Sequence, residues 1–267
     1  MTPSMLLATD AHGVATLTMN RPDKLNAFDV PMIDLWHQLL TEACDDPAVK
    51  VIVLTGAGRA FCAGGDVDSF LDFRRWDSME RKDYLWKHVH RIVFALERAE
   101  KPVIAAINGL ARGAGMDMAL MCDMRIMAES ATLAESYISM GLVAGDAGTY
   151  FLPRMIGTAR ALELFWTGRT VKAEEAERIG IANRIVPDDQ FADAVTQTAR
   201  AIAAQPQEAI RMFKRAVYQG LSTPLAAHLD MVSSHMAIIM DTKDHKAKVD
   251  AFLNRGKGET GKGKEGA

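Results

Sequence analysis

The chain has 267 residues, 49% of them hydrophobic, long enough to bury one sizeable core or a core plus a small second unit. Its formal net charge is -3, its lysines and arginines are scattered and only 7% of its residues are aromatic, so the basic, base-stacking footprint of a nucleic-acid binder is missing. Three cysteines (Cys44, Cys62 and Cys122), an odd number with no C-x-x-C pair, argue against a disulfide framework and read as small buried hydrophobes in a reducing compartment.

The first twenty residues lack the basic, apolar and cleavage-site order of a leader. Val14 to Met19 alternates and predicts a strand, which runs into a turn at Asn20-Arg21-Pro22-Asp23-Lys24. Asp29 reads as the N-cap of a helix with Pro31 in its first turn and Ile33, Trp36, Leu40 and Ala43 on one face. Lys50 to Thr55 predicts a buried strand, and Gly56, Gly58, Gly64 and Gly65 punctuate the loop after it. Met79 to Ala99 has helical period, and Lys101-Pro102 leads into a second buried strand, Val103 to Ile107. That strand is far too short to span a membrane, so a cytoplasmic protein without a membrane partner is expected. A second glycine-rich loop, Asn108 to Gly115, precedes a helix over Met116 to Cys122 and a strand over Met124 to Met127. This succession predicts an α/β core with parallel strands over residues 1–190. Four helices with no strand between them follow in residues 191–255: Phe191 to Ala204, Gln207 to Gln219, Pro224 to Met240 and Asp244 to Leu253. Residues 256–267, with five glycines and three lysines, predict a disordered tail.

Two of the strand-to-helix junctions are rich in glycine, Gly56 to Asp66 and Gly109 to Asp117. Such junctions leave amide N–H groups free at a helix start, where the dipole adds positive charge, and so suit a phosphate or an oxyanion. The dinucleotide fingerprint fails, because Phe61 stands where its third glycine belongs, and no phosphate-binding G-x-x-x-x-G-K-[ST] loop exists. His88 and His90, two apart on a helix, diverge by about 200° and share no metal, and no metal site is expected. His90 reads as a packed or surface side chain. His228 and His235 read as one face of a C-terminal helix at a subunit contact.

Around these junctions stand Asn20-Arg21-Pro22, Asn26-Ala27, Ala60-Phe61-Cys62-Ala63-Gly64-Gly65-Asp66 and Lys101 to Gly109. Met121-Cys122-Asp123-Met124-Arg125, Gly141-Leu142, Leu152-Pro153-Arg154, Gly157, Ala173-Glu174-Glu175-Ala176 and Gly180 follow in order. The combination resembles the crotonase superfamily, also called the enoyl-CoA hydratase/isomerase family. The resemblance implies a ClpP-like spiral of ββα units with a C-terminal helical oligomerisation region, assembled as a homotrimer or a dimer of trimers. It implies an acyl-CoA thioester as substrate, with coenzyme A part of that substrate and no separate cofactor. The thioester oxygen would be held by the backbone N–H groups of Gly65 and Ala114. Coenzyme A would lie along Lys24, Ala27, Ala63, Gly64, Gly65, Asp66 and Val67.

The acid–base residues depart from the hydratase pattern. Its first glutamate position is Asp117 and its second is Tyr137, a phenol with an ordinary pKa near 10 and a poor base. The remaining candidates are Glu135 and Asp146. Glu135 shares a face with Tyr137 if that stretch is extended and reads as a surface or interface residue. Asp146 reads either as catalytic or as the cap of a helix beginning near Gly148. The activity implied is enoyl-CoA hydration, with Asp117 and a second acid, Asp146 or Glu135, handling water and the α-proton. The alternatives are a double-bond isomerase, then a thioester hydrolase or dehalogenase with Asp146 as nucleophile, and a non-catalytic or RNA-binding relative.

Overall fold

The computed structural model describes residues 2–68 and 73–260, with residues 255–260 described through their backbone alone. The chain divides into two compact units, Met1–Ala203 and Ala204–Ala267.

In the first unit β1 (Met5–Thr9) pairs antiparallel with β2 (Val14–Met19), and α1 (Val30–Asp45) follows. Asp29 caps α1 as its spacing predicts, its carboxylate accepting from Met32 N–H, and Ile33, Trp36, Leu40 and Ala43 are buried. Each large apolar side chain buried here contributes roughly 1.5–3 kcal/mol. β3 (Val51–Gly56) joins the sheet beside β2. From there the chain repeats one pattern, a strand in a large sheet, a short strand in a small sheet, then helix. β4 (Ala60–Cys62) is followed by α2 (Ser78–Tyr84) and α3 (His90–Arg98). Next come β5 (Val103–Ile107), β6 (Leu110–Arg112) and α4 (Ala114–Leu120). The third pass is β7 (Met124–Ala128), β8 (Thr132–Ala134), α5 (Gly148–Ile156) and α6 (Thr158–Thr167). β9 (Val171–Lys172), α7 (Ala173–Ile179), β10 (Arg184–Val186) and α8 (Phe191–Ala203) complete the unit. The large sheet has the order β1-β2-β3-β5-β7-β10, parallel from β2 onward, and the small one β4-β6-β8-β9. Every residue of β5 is buried, as both faces of a covered parallel strand require. This is the ββα spiral.

Three expectations are corrected. The helix anticipated over Met79 to Ala99 contains a π-helical turn, Leu85–Val89, between α2 and α3. The glycine-rich loop after β5 contains a strand, β6, and its helix starts at Ala114 rather than Met116. The first unit extends through α8, which packs on β2, β3 and β7, so it ends at Ala203 rather than near 190.

The second unit consists of α9 (Gln207–Gly220), α10 (Leu225–Met240) and α11 (Lys243–Thr260). α11 runs to Thr260, into the stretch anticipated as a tail from 256, and residues 261–267 lie outside the described residues. Phe213, Val217, Leu221, Leu225 and Phe252 of this unit are exposed. Among the described residues no helix is long and apolar enough to cross a membrane.

Candidate active site

The two glycine-rich loops meet. Phe28 and Gly65 form a parallel bridge in which Phe28 N–H donates to Gly64 O and Asp66 N–H donates to Phe28 O. That pairing leaves Gly65's own N–H out of the ladder. Ala114 is the first residue of α4, after Gly113 at φ 48, so its N–H has no intrahelical acceptor. Among the described residues neither N–H donates to a protein acceptor. A Cβ on Gly64 would stand 3.6 Å from Ala114 N, which puts the two loops side by side. Gly115 is required for that approach, because a Cβ there would lie 2.2 Å from Cys62 O.

Four ionisable side chains gather behind this pair of amides. Asp117 is on α4, Glu135 follows β8, Tyr137 is in the 3-10 turn Ser136–Met140, and Asp146 is in the loop before α5. Asp117 and Glu135 are 0% exposed and Asp146 is 4% exposed. Tyr137 Oη donates to Asp117 Oδ2 across 2.7 Å and lies 3.3 Å from Asp146 Oδ2. One phenol carries one proton, so the shorter contact is its donation; the longer one is filled when Asp146 is protonated and donates to Oη. Asp117 Oδ1, both Glu135 oxygens and Asp146 Oδ1 are buried without a hydrogen-bond partner of good geometry. Gly148 makes room for this convergence, since a Cβ there would lie 2.0 Å from Asp117 Oδ1 and 3.1 Å from Glu135 Oε1.

Burial sets the protonation order. It pushes Asp117 up to about 6, against the pull of Tyr137, Glu135 and the N–H groups of Gly148 and Asp146. Burial and the charge of Asp117 push Asp146 up to about 7. Burial, then Asp117, then Asp146 push Glu135 up to about 10. Tyr137 is raised well above its ordinary value by burial and the same carboxyls, and stays a phenol.

The other predicted residues lie around the Gly65 bridge. Asp66 is buried and accepts from Arg21 (2.8 Å) and Lys24 (2.9 Å); burial opposes its ionisation, but these cations hold it below its ordinary value. Lys24 also reaches Asp68, and Ala63 N–H donates to Leu25 O across 2.9 Å. Ala27 is buried and Val67 is exposed. Among the described residues no group of three or more His, Cys, Asp or Glu side chains is arranged to hold a metal ion.

The sequence pattern of the enoyl-CoA hydratase/isomerase family matches residues 9–262. The chain belongs to that family. It is 36% identical to the 1,2-epoxyphenylacetyl-CoA isomerase of Escherichia coli over 245 residues, 90% of this chain and 92% of that one. It is 33% identical to the crotonyl-CoA hydratase of Syntrophomonas wolfei over 247 residues, 91% of this chain and 93% of the relative. The crystal structure of an enoyl-CoA hydratase from Mycobacterium smegmatis superposes with a TM-score of 0.89 at 31% identity, covering 95% of this chain and 97% of that chain. The chain is therefore an acyl-CoA enzyme of the enoyl-CoA hydratase/isomerase family.

Within this family member the site differs from its sequence reading at three residues. Glu135 is not at the surface but fully buried against Asp117. Asp146 does not cap α5. The N-cap is Ala147, at φ 80 and with no side-chain cap, while Asp146 turns toward Tyr137. Tyr137, read only as a poor base, hydrogen-bonds Asp117 and stands 3.3 Å from Asp146. Two positioning features escaped the sequence. His90 Nε2–H donates to Gly145 O across 2.8 Å, beside Asp146, and the π-helical turn just before His90 is the local irregularity accompanying it. Asn26, 0% exposed at φ 58, accepts from Arg21 N–H and donates to Ala57 O and Ala60 O, tying the Lys24 loop to the turn before β4. The Asn26-Ala27 motif was legible; the bonds that explain it were not.

Proposed function

We propose that this enzyme is an enoyl-CoA hydratase in which Asp117 and Asp146, bridged by Tyr137, serve in place of a glutamate pair. The observation that carries the reading is the bridge itself: two buried carboxyls, raised to about 6 and about 7, joined through one phenol Oη. Near neutrality Asp117 is mainly ionised and Asp146 retains a share of its protons, which supplies a base and an acid together. The thioester oxygen lies between the N–H groups of Gly65 and Ala114. Asp117 takes a proton from water as the water oxygen adds to the β-carbon. The alkene electrons move toward the thioester oxygen, where each preorganised donor is worth about 3–4 kcal/mol. Asp146 then delivers its proton to the α-carbon. Asp117 is left protonated and Asp146 ionised, and Tyr137 passes the proton back, giving one to Asp146 as it receives one from Asp117. Coenzyme A lies along Lys24, Ala27, Ala63, Gly64, Gly65, Asp66 and Val67, and no further cofactor takes part. The exposed apolar residues of α9 to α11 support a homotrimer or dimer of trimers, and the reading keeps the enzyme in the cytoplasm.

Isomerisation is the second reading, favoured by the 36% identical isomerase. A nucleophilic Asp146 is disfavoured, because its burial and the charge of Asp117 oppose ionisation. RNA binding is disfavoured by the net charge of -3. The test is incubation of the wild type with crotonyl-CoA in D₂O. Hydration predicts loss of the enoyl absorbance and one deuterium at the α-carbon of a β-hydroxyacyl product. Retained enoyl absorbance, with double-bond migration on a 3-enoyl-CoA, establishes the isomerase instead.

A further inference from the structure

The mechanism above leaves one buried acid without a task. Glu135 is 0% exposed, and neither of its oxygens has a hydrogen-bond partner of good geometry. The groups that face it are Asp117 from α4, Asp146 from the loop before α5 and Tyr137 from its own segment, and none is a cation. A buried carboxylate without a cation, pressed against two other acids, is electrostatically untenable, whereas a neutral carboxylic acid is a hydrogen-bond donor. An acceptor stands beside it. Asp117 Oδ1 is buried and also lacks a well-directed partner, while Asp117 Oδ2 takes the Tyr137 proton. Both oxygens border the same small space above Gly148, where a Cβ would lie 2.0 Å from Asp117 Oδ1 and 3.1 Å from Glu135 Oε1.

We infer that Glu135 is a positioning residue, held as a neutral carboxylic acid that donates its proton to Asp117 and so keeps Asp117 the ionised member of the Asp117–Asp146 pair. The inference deepens the hydratase reading and rests on it for the identity of the base. With donors on both oxygens, Asp117 becomes the better stabilised anion of the pair, and its ring of donors fixes the carboxylate plane. The protonation order agrees: Glu135 titrates at about 10, above Asp146 at about 7 and Asp117 at about 6.

The direct test is infrared spectroscopy of the resting protein in D₂O at about pH 8.5, above the range of ordinary carboxyls. The carbonyl stretch of a protonated carboxylic acid lies clear of the carboxylate bands. The inference predicts that band in the wild type, its loss in Glu135→Gln and its persistence in Asp146→Asn. A wild type without the band, or a band lost in Asp146→Asn and kept in Glu135→Gln, overturns it. Turnover provides a second readout. Glu135→Met removes the donor, so the acid limb of the kcat profile should move up by about one pH unit with KM nearly unchanged. Glu135→Gln retains an N–H donor and should restore the limb relative to Glu135→Met. If Glu135→Met leaves the limb in place, the donor role is wrong. The infrared result needs no substrate. A protein that shows the band but does not hydrate crotonyl-CoA would remove the hydratase reading alone.

Discussion

Tyr137 Oη donates to Asp117 Oδ2 across 2.7 Å, and this bond decides how the site is wired. At the position where a hydratase glutamate would supply a second acid, the chain instead supplies a bridge to one. Asp146, at 3.3 Å from the same oxygen, is the acid that the proposed mechanism assigns to that role.

Tyr137→Phe removes the bridge while keeping the ring. We expect kcat to fall by roughly 10- to 100-fold with little change in KM, since only the proton path is lost. Asp117 Oδ2 would be left without its donor, which costs about 1–3 kcal/mol and should lower the melting temperature. Unchanged kcat together with an unchanged melting temperature would show that the bridge has no role.

Stability should depend on pH in a defined direction. Asp146 is raised from 3.8 to about 7 in the folded protein, first by burial and then by Asp117. The native state therefore holds a proton that the unfolded chain has lost, and stability falls as pH rises through that window. Asp146→Asn removes the penalty. It should be more stable than the wild type by roughly 1–3 kcal/mol near pH 8, with the gap closing below about pH 4. Denaturant unfolding across pH checks this, and a variant equally destabilised at every pH would contradict it.

Gly148→Ala should be more damaging than an ordinary helix glycine substitution, because its Cβ would fall 2.0 Å from Asp117 Oδ1. Moving Asp117 by even about 1 Å costs on the order of 100-fold in rate. Gly141→Ala is the control. Its Cβ would meet nothing within 4 Å, and its φ of 65 makes its cost backbone strain alone. Equal losses of kcat in the two variants would show that crowding at Asp117 is not the cause.

The fold was legible wherever a pattern had room to repeat. The six residues of β2 and the sixteen of α1 carry alternation, a helical stripe and an Asp29 cap. The three-residue strands β4, β6 and β8 carry no period and are held by their neighbours in the small sheet. In the site, Asp117 was legible through the family resemblance, as the residue at the first glutamate position. The fate of Asp146 was not, because the choice between cap and cluster depends on Ala147 adopting φ 80, a conformation alanine rarely takes. Glu135 was misread as a surface residue because its burial comes from α4 and the loop before α5, elements distant in sequence that meet only in the folded chain.

The most direct measurement is the initial rate of crotonyl-CoA hydration by Asp146→Asn beside the wild type. If Asp146 is the second acid, kcat falls by roughly 100-fold or more while KM stays within a few-fold, since the proposed thioester contacts at Gly65 and Ala114 are untouched by the substitution. An Asp146→Asn enzyme that hydrates crotonyl-CoA at the wild-type rate would contradict the account, and the acid would have to be sought elsewhere in the cluster.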